Sequence, residues 1–114
     1  MIITQGEKVH IVYRALYENS TRRHFLGQIA EVDSTRCRIV GYAFIFDRKT
    51  DTLIRRPERR TTIVDLSESG YIVNVIDRGV DLDEVTYRYL SEVGLVVTDE
   101  KAFALNINEF SAKS

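Results

Sequence analysis

Hydrophobic and polar side chains alternate along most of the first two-thirds of the chain. In residues 9–17 nearly all odd positions are apolar, and the segment is rich in β-branched and aromatic side chains. A hydrophobic period of two predicts a strand with one face on the core. The same reasoning predicts further strands, separated by short polar turns, at residues 24–32, 36–47, 61–66 and 71–76.

Residues 82–93 carry the sequence signals of an α-helix. Asp81 and Glu84 have the spacing of a capping box with an acid at the cap, and Gly94 follows as a left-handed stop. Leu82, Val85, Tyr89 and Val93 then share one face. We therefore predict one helix at about 82–93, followed by a terminal hairpin of residues 95–98 and 102–107.

The segment 36–47 is apolar on both of its faces. One face carries Val40, Tyr42, Phe44 and Phe46, and the other carries Ile39, Gly41, Ala43 and Ile45. A strand that is apolar on both sides is buried on both sides, so we expect the C-terminal helix or a second subunit to cover the second face. A stacking platform for nucleobases is the alternative, but no basic residue interrupts the aromatic stripe.

These elements predict a mainly β fold, a small and strongly bent antiparallel β-barrel with one C-terminal helix and a terminal hairpin. Gly41 would let its strand bend sharply, as small barrels require. Pro57 has no amide hydrogen to donate to a β-ladder, which puts residues 53–60 at an edge or in a loop. No segment has the composition of a linker, so we expect residues 1–114 to form a single domain.

Composition excludes several classes of protein. Apolar residues make up 44% and charged residues 29% of the 114 positions, which is ordinary for a globular domain and excludes disordered, collagen-like and coiled-coil chains. The single cysteine excludes an internal disulfide and fits a reducing compartment. Because no apolar run approaches the ~18 residues of a membrane span, we expect a cytoplasmic protein without a membrane partner.

Charge is unevenly distributed along the chain. Residues 20–60 carry a net charge of +5 and residues 61–114 a net charge of −6, and arginine outnumbers lysine by twelve to four. Two basic clusters contain the candidate site residues, which are Arg22, Arg23, Arg55, Arg56, Arg59 and Arg60. Loops that lie close together would pool these guanidinium groups into an anion site for nucleic acid. Alternatively, the arginines pair with the acidic C-terminal third, within the fold or between subunits.

The sequence contains no constellation typical of catalysis. His10 and His24 are the only histidines and Cys37 is the only thiol, which gives no metal-ligand spacing. Arg36 and Arg38 flank Cys37, but neighbouring residues of a strand point to opposite faces, so we expect a small buried apolar residue. We predict no enzymatic activity, no metal and no cofactor.

Residues 24–76 resemble the Sm-like small β-barrels, a family that includes bacterial RNA chaperones. The first motif of that family is similar to Phe25-Leu26-Gly27-Gln28-Ile29-Ala30-Glu31-Val32-Asp33, and the second to Ser69-Gly70-Tyr71-Ile72-Val73-Asn74-Val75. The resemblance implies a strongly bent barrel that assembles into a ring through its edge strands. Arg36 or Cys37 stands where the family has an RNA-contacting asparagine, so no family site residue transfers to this chain.

We therefore expect a non-enzymatic binding or assembly module that forms a homo-oligomer. Its expected ligand is single-stranded RNA or another polyanion, bound through the two arginine clusters. The alternative is a structural, oligomer-forming or protein-interaction domain whose arginines pair with its own acids. A small-molecule site at a subunit interface is a third interpretation, and it requires a polar-lined pocket.

Overall fold

A computed structural model describes residues 2–13, 23–67, 70–90, 94–101 and 103–106. Six strands of the described chain form a first, antiparallel sheet in the order β4-β3-β2-β1-β6, with β5 also paired to β3. These strands are β1 (Lys8–Tyr13), β2 (Arg23–Asp33), β3 (Arg36–Asp47), β4 (Thr52–Arg55), β5 (Arg60–Asp65) and β6 (Tyr71–Ile76). The strands predicted between residues 24 and 76 are confirmed. The first predicted strand is confirmed to Tyr13, and residues 14–17 lie outside the described residues.

Strand β3 is the longest strand and shares its outer edge between two partners. Its C-terminal part pairs with β4 and its N-terminal part with β5. Pro57 lies in the loop between β4 and β5, outside any ladder, as its missing amide hydrogen predicts. On the other edge of β3, Gly27 and Gly41 face each other across the β2–β3 pair. A Cβ atom on Gly41 would lie 2.0 Å from the Leu26 carbonyl oxygen, so only glycine allows this close approach of the two backbones.

The predicted closed barrel is wrong. Among the described strands, β5 pairs with β3 and β6 pairs with β1, and no ladder joins β5 to β6. Closure requires these two strands to exchange backbone hydrogen bonds. Instead, side chains from both strands, including Val64 and Tyr71, line a groove between them. The first sheet is therefore open.

The predicted C-terminal helix is also wrong. Leu82–Glu84 forms a single 3-10 turn, and strand β7 (Thr86–Leu90) follows it. The cap was recognised for the right reason, because the Asp81 side chain accepts a hydrogen bond of 3.0 Å from the Asp83 amide. The helix does not continue because Val85 and Tyr87 are buried, whereas Thr86 between them is exposed, which is the period of a strand. Residues 91–93 lie outside the described residues.

A second antiparallel sheet contains β7, β8 (Gly94–Thr98) and β9 (Ala104–Asn106), in that order. Its β8–β9 pair is the predicted terminal hairpin, which is confirmed. Gly94 has a φ of 101°, as predicted for a left-handed residue, but it begins a strand and ends no helix. In the described ranges, no helix is long and apolar enough to cross a membrane.

Two clusters of buried side chains fill the molecule. The first cluster lies between the two sheets and contains Leu26, Phe44, Leu53, Ile76, Val80, Val85, Tyr87, Leu95 and Val97. The second lies on the opposite face of the first sheet and contains Ile3, Val9, Ile11, Ile29, Cys37, Ile39 and Val64. Strand β3 contributes Phe44 to one cluster and Ile39 to the other, which confirms that it is buried on both faces. The second sheet, and not a helix, covers the aromatic stripe.

Candidate functional site

A groove of about 570 Å³ opens on the inner face of the first sheet, between β5 and β6. Its lining is mostly apolar and includes Ile11, Phe25, Ala43 and Val64. Two cations, Arg23 and Arg60, line it as well. The groove therefore combines an apolar surface with positive charge.

Strand geometry explains why these two arginines reach one groove. Alternate residues of a strand share a face, so Arg23 follows the same side of β2 as Phe25, and Arg60 follows the same side of β5 as Val64. Through their pairing with β3, Arg23 lies opposite Ile45 and Arg60 lies opposite Gly41. Four residues of β3 separate those positions, on the order of 13 Å along the strand. The two cations are thus set apart along the groove.

An aromatic pair forms one end of the groove. Tyr13 and Tyr71 are direct partners in the β1–β6 ladder, and their ring centroids lie 5.1 Å apart at an interplanar angle of 59°. Both line the groove, and Tyr13 is exposed. Exposed aromatic rings beside guanidinium groups are typical of surfaces that bind unpaired nucleic-acid bases.

Arg55 and Arg59 lie elsewhere, beside the acidic 3-10 turn. Nη1 of Arg55 donates a hydrogen bond of 2.8 Å to the Asp83 carbonyl oxygen, and its guanidinium carbon lies 4.7 Å from the centre of the Tyr42 ring. Arg59 lines a smaller cavity of about 170 Å³ together with Tyr42, Asp81 and Asp83. For these two arginines, contact with the acidic C-terminal third matches the alternative that the sequence left open.

The remaining predicted arginines have different surroundings. Arg56 is exposed, and its backbone amide donates a hydrogen bond of 2.8 Å to the Ala43 carbonyl oxygen. Arg60 forms an ion pair of 2.8 Å with Glu58. The pKa of Glu58 is lowered, first by a hydrogen bond from its own backbone and next by the hydrogen bond from Arg60. Arg22 lies outside the described residues. Of the six predicted site residues, the structure brings Arg23 and Arg60 together at the groove and separates them from Arg55 and Arg59.

A buried cluster of His10, His24 and Tyr87 lies between the two sheets, and the sequence analysis did not foresee it. The Tyr87 hydroxyl lies 2.8 Å from Nε2 of His10 and 2.7 Å from Nδ1 of His24, and the two nitrogens are 3.2 Å apart. The three side chains are 0%, 4% and 7% exposed. The alternating pattern of β1 and β2 already placed both histidines on apolar strands. Tyr87 was hidden because its segment was predicted to be helical.

Burial keeps the polar groups of this cluster neutral. Burial lowers the pKa of His10 from 6.5 to about 4 and raises the pKa of Tyr87 well above its ordinary value. Asn74 donates a hydrogen bond of 3.2 Å from Nδ2 to Nδ1 of His10. His10 therefore carries its proton on Nε2, which faces the Tyr87 hydroxyl.

Cys37 is buried, which confirms its prediction as a small core residue. Burial raises the pKa of its thiol, so the thiolate is disfavoured at neutral pH. Arg36 and Arg38 are exposed and form ion pairs with Asp33 and Glu31. The flanking arginines consequently do not activate the thiol.

The described residues contain no group of three or more histidine, cysteine, aspartate or glutamate side chains that could hold a metal ion. Acidic residues at positions 81–84 act in the cap and in contacts with basic side chains, such as the 2.5 Å ion pair of Glu84 with Lys101. The candidate site is therefore an anion-binding groove without a metal cluster among the described residues. Fold alone does not define function, so the site itself has to support any proposal. No protein family, curated protein or solved structure matches the chain.

Proposed function

We propose that this chain is a non-enzymatic module that binds single-stranded RNA along the groove. The observation that carries the proposal is that Arg23 and Arg60 line the same groove as Tyr13 and Tyr71. Guanidinium groups pair with phosphates in a bidentate geometry, and tyrosine rings stack on bases. A single strand offers both phosphates and unpaired bases, whereas the bases of a duplex are already stacked on one another.

The apolar lining of the groove supports the same ligand. Ile11, Phe25 and Val64 present a surface that an unstacked base can cover, and burial of such surface is favourable. Arg60 also contacts Glu58, an exposed ion pair that contributes little and that a phosphate can replace. Binding should therefore combine a salt-dependent contribution from the arginines with a salt-independent contribution from stacking.

Fluorescence anisotropy with a labelled single-stranded RNA at low salt tests the proposal. We expect Arg23→Gln with Arg60→Gln to weaken binding strongly. The slope of log affinity against log salt should fall by about 1.4, since each phosphate contact on a single strand contributes roughly 0.7. The matched control, Arg55→Gln with Arg59→Gln, removes the same charge away from the groove and should leave that slope nearly unchanged. Absence of binding by the unmodified protein, or equal losses in both double variants, would refute the proposal.

A second candidate function is assembly of several copies through sheet edges. Strand β6 ends the first sheet and, among the described strands, pairs with β1 alone. Val75 on β6 is 56% exposed and Ile63 on β5 is 64% exposed. An edge strand with exposed apolar side chains favours pairing with a second copy. The resemblance to Sm-like proteins belongs to this second proposal, because it implies ring assembly through edge strands.

Light scattering at micromolar concentration tests the assembly proposal. We expect a multiple of the 13.1 kDa chain mass. A lysine at Val75 (Val75→Lys) should shift the protein toward the monomer, because a charge on an edge strand opposes pairing. The control variant Thr86→Lys adds the same charge on the second sheet and should keep the oligomer. A monomer mass for the unmodified protein would refute assembly.

A further inference from the structure

The cluster of His10, His24 and Tyr87 connects the two sheets. His10 lies on β1 and His24 on β2 of the first sheet, whereas Tyr87 lies on β7 of the second. The side chains around it are apolar, and the Phe44 ring packs on the Tyr87 ring at a centroid distance of 4.9 Å. The polar contact is therefore embedded in the core that joins the sheets.

The hydrogen bonds of the cluster fix where its protons are. Asn74 donates to Nδ1 of His10, so Nε2 of His10 carries the proton and donates to the Tyr87 oxygen at 2.8 Å. The Tyr87 hydroxyl in turn donates to Nδ1 of His24 at 2.7 Å. The chain of hydrogen bonds runs in one direction, with both imidazoles neutral and both facing Nδ1 atoms acting as acceptors.

One added proton disrupts this chain. A proton on Nδ1 of His24 makes that atom a donor, and the Tyr87 hydroxyl then loses its acceptor. A proton on Nδ1 of His10 turns the same atom against the Asn74 amide, which also donates. Either event places a positive charge among apolar side chains, which is costly unless the charge reaches water.

The cluster lies directly behind the groove. His24 is flanked on β2 by Arg23 and Phe25, whose side chains line the groove, and His10 is followed on β1 by Ile11, which also lines it. Adjacent residues of a strand point to opposite faces. The same two strand segments therefore present the cluster to the second sheet and the binding surface to the groove.

We propose that the three side chains form an acid-sensitive latch, which holds the second sheet against the first near neutral pH and releases it on acidification, thereby weakening ligand binding in the groove. The regulatory half of this inference rests on the proposed function of the groove. The titratable groups that the described residues bring to the latch are the two imidazoles and the Tyr87 phenol. From the other packed strands, β6 contributes the uncharged Asn74 amide and β3 the Phe44 ring.

Hydrogen exchange near neutral pH and at about pH 5, corrected for the intrinsic exchange rate, tests the latch without any ligand. Amides of β7 and β8 should exchange faster at the lower pH, while those at the centre of the β2–β3 pair stay protected. With a pKa of about 4 for latched His10 and 6.5 when released, opening should become on the order of 30-fold more favourable. Unchanged exchange in β7 and β8, or simultaneous loss of protection in both sheets, would overturn the latch.

Two tyrosines of β7 offer a matched pair of variants. Tyr87→Phe removes the hydroxyl that both imidazoles contact, and it should speed exchange in β7 and β8 already at neutral pH. Tyr89→Phe removes the hydroxyl of an exposed tyrosine on the same strand and should change nothing. Equal exchange in the two variants would contradict the role assigned to Tyr87.

RNA affinity measured over the same pH range tests the regulatory half. Plain electrostatics predicts tighter RNA binding in acid, because histidines gain positive charge. The latch predicts the reverse, a loss of affinity at about pH 5, since released strands no longer hold Arg23 in place. Tighter binding in acid would overturn the regulation. Failure to bind RNA at any pH would remove the proposed function and the regulation with it, while local opening in the exchange experiment would still support the latch.

Discussion

The Tyr87 hydroxyl lies 2.8 Å from Nε2 of His10, although 77 positions separate the two residues in sequence. This contact and its neighbour on His24 are buried polar interactions in a core that is otherwise apolar. A buried polar group that keeps its hydrogen bonds is tolerated, but a charged one is not. The free energy of unfolding should therefore depend on pH.

Acid should destabilise the protein in a defined pH range. Burial lowers the pKa of His10 from 6.5 to about 4, so between these values the unfolded chain binds more protons than the folded one. The contribution of neutral His10 is complete above about pH 6.5 and is lost as the pH falls toward 4, amounting to roughly 3 kcal/mol. Urea unfolding across this range measures it. Replacement by a side chain that does not titrate, His10→Gln, should flatten the profile, and an equally steep profile in that variant would contradict the assignment.

Gly41→Ala should be strongly destabilising. The added Cβ would lie 2.0 Å from the Leu26 carbonyl oxygen and 2.5 Å from the Gly27 Cα atom, and both are backbone atoms that cannot move without separating β2 from β3. We expect a loss on the order of 3 kcal/mol or more, or failure to fold. Thermal unfolding measures it.

Gly79→Ala provides the control for that substitution. Its Cβ would meet only the Asp77 carboxylate oxygen at 3.1 Å, on an exposed side chain that can rotate away. We expect a change in melting temperature close to zero. Similar losses at the two glycines would mean that the close approach at Gly41 is not what makes it sensitive.

The β-strands between residues 24 and 76 could be predicted because alternation along a strand is a local property. The helix at 82–93 was wrong because its start signal is also local. Asp81 caps one 3-10 turn as well as it caps a helix, and the strand that follows is decided by the burial of Tyr87 against the first sheet. Sequence separation also hid the buried cluster, since only the docking of two sheets brings Tyr87 to the histidines.

The candidate arginines were identifiable from sequence, but their division into two groups was not. Arg23 and Arg60 meet through the register of β2 and β5 on β3, which depends on pairing between distant segments. Arg55 instead contacts the 3-10 turn, whose position depends on how the second sheet packs. A run of basic residues shows that charge is present, and strand register determines which face each charge occupies.

Cys37→Ser should cost on the order of 1 kcal/mol of stability and leave RNA binding unchanged. The side chain is buried in the second cluster, away from the groove arginines, and its Sγ atom lies 3.9 Å from the Val64 carbonyl oxygen, which can accept a hydrogen bond from serine. Because burial raises the pKa of the thiol, alkylation of the folded protein at neutral pH should be slow. Rapid alkylation would show an exposed thiol and contradict this placement.

The contact of Tyr42 with Asp83 should tie the 3-10 turn to β3 without taking part in ligand binding. The Tyr42 hydroxyl donates a hydrogen bond of 2.7 Å to Oδ1 of Asp83, and Arg55 lies over the Tyr42 ring. That hydrogen bond is the main reason why the pKa of Tyr42 is raised. Asp83→Asn should therefore lower the pKa of Tyr42, measured by ultraviolet titration against a Tyr42→Phe reference.

The same two residues form a double-mutant cycle. Each single variant should lower the melting temperature slightly, and Tyr42→Phe combined with Asp83→Asn should cost less than the sum of the two, because either change alone already breaks the hydrogen bond. RNA affinity should stay unchanged in all three variants, since both residues lie outside the groove lining. Additive losses would show that the two side chains act independently. A loss of RNA affinity that matches the Arg23 and Arg60 variants would move the binding surface to the side of the sheet where Arg55 and Arg59 lie.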